Sequence, residues 1–135
     1  MAIFSNLSNY KNFGLLIIRI GLGLTFIHYG YPMLTGGINS WKEIGASTRH
    51  IGIHFWPAVW GFLAAVTETF GGFLLIIGLA FRPVCILMII TLIIAAASHI
   101  GSGEGLRGAS HAIEDAIIFI GLLFVGPGKY SVDKK

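Results

Sequence analysis

Arg19, His28, Glu68, His111, Glu114 and Asp115 stand inside stretches of sequence that are otherwise almost wholly apolar. A charged side chain at the centre of a helix in lipid costs roughly 2.5 to 3.5 kcal/mol by insertion measurements, so each of these groups needs a partner or a task. His111 precedes Glu114 by three residues and Asp115 by four, and on a helix that spacing lets one imidazole reach either carboxylate. Two neighbouring carboxylates in a low-dielectric layer repel each other, so a proton or a cation is expected beside them. An imidazole with such a partner can pass protons at neutral pH, and imidazoles also ligate metals and haem. The ligand spacings of a zinc site, HExxH or CxxC, are missing from the chain, as is any motif for a covalently held cofactor. Proton exchange is therefore the expected chemistry, and neither a metal nor haem is expected.

The elements that position these groups follow from composition. The chain has 135 residues, 55% of them hydrophobic and 11% charged, and a mean hydropathy of +0.81. These values are far outside the range of a soluble domain of this length. Four apolar stretches, at about residues 13–31, 56–81, 83–100 and 109–125, are each long enough to cross a bilayer, which takes about 20 residues of helix. The expected fold is an all-α membrane protein, a four-transmembrane-helix bundle forming one domain over residues 1–135. No room remains for a soluble catalytic domain. Residues 35–55 form the only connection long enough for a small lid or a half-helix.

The net charge of +3 is scattered over the ends of the spans without a basic run, which excludes nucleic acid as a partner. Cys85 is the only cysteine, so neither an internal disulfide nor a redox pair can form, and its apolar setting predicts a packing role. An even number of spans puts both termini on one side. Lys11, Arg82, Lys129, Lys134 and Lys135 fall on that side, against Lys42, Arg49 and Arg107 on the other, so the positive-inside rule predicts cytoplasmic termini.

Depth sorts the buried polar groups into two layers. At about 1.5 Å of rise per residue, Arg19 and Glu68 lie within about 4 Å of the same depth, and a structural ion pair between them is expected. Small residues on the face of Glu68, among them Gly61, Ala64, Ala65, Gly71 and Gly72, would let a neighbouring helix approach. His28, His99, His111, Glu114 and Asp115 fall within about 10 Å of the outer boundary. His28, His111 and Glu114 are the candidate acid and base groups of this layer. Tyr29, Tyr31 and Asp115 are candidates for holding a ligand beside them.

Several segments together carry a family resemblance: the first span with Arg19, HYGYPMLTGG over residues 28–37, the stretch from Glu68 through Gly71 and Gly72 to Arg82 and Pro83, ASHAIED over residues 109–115, and GPGKYSVD over residues 126–133. In these the chain resembles the DoxX family. The resemblance implies a four-helix protein of the bacterial inner membrane, related to the small subunits of thiosulfate:quinone oxidoreductase. It also implies that Arg19, Glu68, His111 and Glu114 are family positions. Where many relatives place a lysine after the proline of the HYGYP segment, this chain has Met33.

The expected function is that of an integral membrane subunit in a quinone-linked oxidoreductase system, with a polar site in the outer leaflet for a quinone or another small ligand. Quinone reduction needs two electrons and two protons. With no electron-carrying motif in the chain, the electrons must come from a partner redox protein, and the isolated chain is expected to be inactive. Two other readings compete: a non-catalytic scaffold or accessory subunit, and a small proton-coupled transporter. Self-association is compatible with all three.

Overall fold

The computed structural model describes residues 3–134. Five α-helices follow a short 3-10 segment, Ser5–Tyr10: α1 (Lys11–Thr35), α2 (Gly37–Gly45), α3 (Pro57–Ile77), α4 (Phe81–Gly101) and α5 (Gly105–Val125). Among the described residues there is no strand. The helices α1, α3, α4 and α5 are long and apolar enough to cross a membrane. Their outer surfaces carry large apolar side chains such as Ile17, Leu24, Phe70, Phe73, Ile93, Ile117 and Phe124, all exposed. A monomer in water does not present so continuous an apolar coat, whereas lipid tails solvate it.

The spans differ from the expected boundaries in physically informative ways. Pro32 does not end the first helix, which runs one turn further to Thr35, with the Gly36 N–H donating to the Pro32 carbonyl. Proline only deprives the His28 carbonyl of its donor, and a membrane helix tolerates that loss. The turn between α3 and α4 is made by residues 78–80, with Arg82 and Pro83 already inside α4. Gly78 adopts a left-handed conformation (φ 72°) and its N–H closes on the Leu74 carbonyl, the usual helix-ending arrangement. The last helix starts at Gly105 rather than near residue 109, so three residues, Ser102, Gly103 and Glu104, join it to α4.

Two helix pairs build the bundle, α1 with α3 and α4 with α5, and α3 also packs on α4. The α1–α3 contact is close because glycines lie on both sides. A Cβ at Gly72 would meet the Gly23 carbonyl at 2.6 Å, and one at Gly30 would meet the Thr69 backbone nitrogen at 2.7 Å. Phe26 of α1 meets Phe119 of α5 edge to face, with ring centroids 5.5 Å apart, at the centre of a core that includes Leu75, Phe81, Cys85, Met88 and Leu122. Cys85 is fully buried there, as a packing residue.

After α5 the chain doubles back beneath the bundle. The Val132 N–H donates to the Ile77 carbonyl and the Asp133 N–H to the Gly78 carbonyl, so this closing segment pairs with the α3–α4 turn. The Lys129 N–H donates to the Asn12 side-chain oxygen at 3.0 Å, which brings the two described ends of the chain to the same end of the bundle. At the opposite end α2 and a 3-10 segment, Ala46–Ile51, lie across the tops of α3 and α4.

Candidate ligand cavity

Glu68 lines a cavity of about 310 Å³ between α3 and α4, a size within the usual range for small-ligand sites. Its roof is the connection expected to hold a lid. Gly45 and Gly61 make that roof: a Cβ on Gly45 would collide with the Pro57 carbonyl, and one on Gly61 with the Trp41 carbonyl. Only glycine lets α2 cross the start of α3 with the two backbones in contact. Trp41 locks the crossing from the side, its ring set edge-on to Phe62 at 4.9 Å. The following 3-10 segment reaches α4, where the His50 imidazole rests on Gly101.

The walls are apolar, with few polar atoms to spare. Thr91 donates its hydroxyl to the Leu87 carbonyl at 2.9 Å, Thr48 to the Gly45 carbonyl at 2.9 Å, and Trp60 its indole N–H to the Phe55 carbonyl at 2.9 Å. Those groups are satisfied by their own backbone. Glu68 makes no ion pair or hydrogen bond with any described residue, and the described lining holds no Lys, Arg or His. Thr67 and Ser47 are further polar residues of the lining. Leu63, Leu87 and Ile90 are each about half exposed (47%, 50% and 50%), so the cavity opens sideways onto the apolar coat of the bundle. Met33 of α1 also lines it.

The expected Arg19–Glu68 ion pair does not form. Antiparallel packing sets Gly30 opposite Glu68 and Thr69, and sets Gly78 opposite Arg19, so the two charges are separated along the bundle by about the eleven residues between Arg19 and Gly30, or roughly 16 Å. Depth counted from an assumed helix end misplaced Arg19, which lies level with the α3–α4 turn, whereas Glu68 stays at the middle of α3. Arg19 is fully buried and its Nη2 donates to the Tyr130 carbonyl, while Nε and Nη1 find no acceptor among the described residues.

The outer cluster is partly assembled but is not a cavity. His111 Nδ1 lies 3.2 Å from Asp115, so the i, i+4 carboxylate is its partner rather than Glu114, which is exposed and has no partner. The His111 side chain is 65% exposed. Tyr29 presents its ring edge-on to His111 with centroids 6.2 Å apart, and the His28 ring lies tilted against Tyr29 at 5.8 Å, so that tyrosine touches both histidines. Tyr31 is exposed elsewhere on the surface. His99 pairs with Glu104 at 3.0 Å across the α4–α5 connection. None of His28, His111, Glu114, Tyr29, Tyr31 or Asp115 lines the Glu68 cavity.

The sequence reading overlooked Trp60, Thr67, Thr91 and Met33 as cavity residues. One signal was available. Thr67 next to Glu68 and Thr91 on the following span are hydroxyls within apolar runs, flanked by the small residues Ala64 and Ala95 that leave the space.

Fold and site together define a multi-pass α-helical membrane protein with a roofed cavity between two of its spans. The chain belongs to the DoxX family, whose model matches residues 14–100. That match takes in Arg19, His28, Met33 and Glu68 and ends before the ASHAIED and GPGKYSVD segments. Neither curated proteins nor solved structures gave a match to this chain.

Proposed function

We propose that this protein is an integral membrane subunit of a quinone-linked redox assembly in a bacterial inner membrane, and that the quinone head group binds in the Glu68 cavity. One observation carries the reading: an apolar slot, open sideways toward lipid, holds a single unpartnered carboxyl and no cation among the described residues. A lateral opening suits a ligand that arrives through the bilayer. The absence of a cation from the described lining selects against an anionic ligand and favours a neutral one that can exchange hydrogen bonds. Met33 strengthens that preference, because a side chain at a position where relatives often carry lysine adds apolar lining here.

Reduction of a quinone to a quinol takes two electrons and two protons. In this reading a partner redox protein delivers both electrons, Glu68 gives its one proton to the quinone carbonyl oxygen that the Thr67 hydroxyl holds in place, the other carbonyl oxygen takes the second proton from solvent as the quinol leaves, and Glu68 regains its proton from solvent as well. The roof and the apolar walls exclude bulk water from the head group.

The test is a titration of the full chain in lipid nanodiscs with a short-tailed benzoquinone, followed by quenching of indole fluorescence, since Trp60 lines the cavity. Saturable quenching is expected. Glu68→Gln should weaken it about tenfold or more, the scale of a lost hydrogen bond to a charged or buried acceptor. Ala64→Leu should abolish it by filling the slot. His111→Ala should leave it within about twofold, because the His111–Asp115 pair lies outside the cavity. Equal affinity across all these variants, or no saturable quenching in the parent, refutes the assignment.

A further inference from the structure

At the end of the bundle where the two chain ends meet, a second cavity of about 350 Å³ is lined by Lys11, Lys129 and Lys134 together with Asn12, Leu15 and Gly128. Three lysines and no acidic residue line it among the described residues, and the Lys129 ammonium stands over the Tyr130 ring, 6.0 Å from its centroid. The nearby acid, Asp133, is turned away: its side-chain oxygens accept from the Ala80 N–H just before α4, at 3.2 Å, and from the Phe81 N–H at the first residue of α4, at 2.7 Å. The Asn12 side-chain oxygen is likewise taken, by the Lys129 N–H, which leaves the Asn12 amide NH2 as a further donor. The site is thus all donors and positive charge, and it is built by a fold contact that ties residue 12 to residue 129.

Its surroundings fix its level in the membrane. Ile3, Phe4, Leu7 and Tyr10 are exposed on the short segment that leads into Lys11, at 84%, 77%, 64% and 63%, and Tyr130 is 52% exposed beside Lys129. Apolar and aromatic side chains exposed next to a lysine cluster belong at the boundary between acyl chains and head groups. The cations therefore sit at the depth of lipid phosphates.

We propose that this cavity binds a phosphate-bearing anion, and specifically the head group of an anionic phospholipid. Lys11, Lys129 and Lys134 supply the charge, Asn12 donates to a phosphate oxygen, and the exposed apolar residues of the leading segment lie along the acyl chain. A lysine near an anionic surface contributes about a fivefold gain in affinity, so three give a preference on the order of a hundredfold.

The experiment is native mass spectrometry of the full chain released from nanodiscs that hold phosphatidylglycerol and phosphatidylcholine in equal amounts, with the Lys11→Gln, Lys129→Gln, Lys134→Gln triple variant in parallel. These lysines are exposed, so the variant should fold, and its thermal unfolding in detergent provides the check. Retention of phosphatidylglycerol well above phosphatidylcholine by the parent, reduced to near equality in the variant, is the expected result. A third arm adds millimolar inorganic phosphate to the phosphatidylglycerol nanodiscs. If phosphate displaces nothing, the lipid assignment stands. If phosphate binds to the parent while the two lipids are retained equally, the lipid assignment is overturned in favour of a free-phosphate site. If the triple variant keeps the full lipid preference while folded, the lysine cavity is not the site.

Discussion

The Arg19 guanidinium donates to the main-chain oxygen of Tyr130, a residue 111 positions away, and so holds the closing segment of the chain against the inside of the first helix. Gly78 makes room for it, since a Cβ there would collide with Nη1. A buried cation commonly takes a carboxylate as its partner, because taking a charge out of water costs several kcal/mol. Here the partner is a carbonyl, and the mid-membrane carboxylate belongs to a different layer.

This separation makes a sharp prediction about energetics. In a double-mutant cycle with Arg19→Met and Glu68→Gln, the losses of stability in detergent should add to within about 0.5 kcal/mol, as for sites that share no contact. A direct buried pair would instead show strong coupling, since removing one partner alone costs about 3 to 5 kcal/mol. Thermal or denaturant unfolding of the four proteins measures the coupling, and a coupling of 2 kcal/mol or more would restore the ion pair and contradict the packing described above.

Asp133 should act as the helix cap of α4 from outside the helix. Ala80, immediately before that helix, has a left-handed backbone (φ 50°) that is uncommon for a residue with a side chain, and the Asp133 carboxylate holds its N–H and that of Phe81. Asp133→Ala should cost about 1 to 2 kcal/mol, the scale of a lost N-cap. Hydrogen exchange should rise at residues 80–82 and at the closing segment, and stay unchanged at α5. Unchanged exchange at residues 80–82 would show that the cap contributes nothing.

The helices were legible because hydropathy alone identifies a segment that must satisfy its own backbone in lipid. The boundaries near Pro32, Pro83 and Gly105 were not, because proline and glycine read as breakers in water and are accommodated here by membrane context or by the first turn of a helix. Glu68 stood out from its type and depth, but as half of a structural pair with Arg19 rather than as a ligand residue. Its surroundings did not, since the partner of a polar residue depends on which helices are neighbours and in what register. Arg19 and Glu68 share a depth only if helix ends are guessed, and the glycine contacts Gly23–Gly72 and Gly30–Thr69 set a register that parts them. The choice of Asp115 over Glu114 by His111 is of the same kind, because i, i+3 and i, i+4 spacing permit both.

The positive-inside imbalance predicts that both chain ends face the cytoplasm. Single cysteines at the exposed positions Ser8 and Val132 should then resist an impermeant maleimide added to intact spheroplasts, while one at exposed Asn39 on α2 should react. Cys85 is buried and should stay silent in the parent. Labelling at Ser8 and Val132 but not at Asn39 would invert the orientation and put the lysine cavity on the outer face.

The roof makes the last prediction. At Gly45 and Gly61 the α2 and α3 backbones touch, and any side chain there runs into a carbonyl oxygen, which cannot move as the end of a flexible side chain can. Gly45→Ala and Gly61→Ala should each lift α2 from α3, part Trp41 from Phe62 and open the Glu68 cavity to water. The tryptophan emission of both variants should shift to the red, and acrylamide should quench it more strongly. Gly121→Ala is the control, since a Cβ at that lipid-facing position meets nothing within 4 Å. Quinone affinity should fall in the two roof variants and hold in the control, because the ligand depends on a water-free slot rather than on either glycine directly. If both roof variants keep the parent emission and affinity, the close crossing of α2 over α3 is not what closes the cavity.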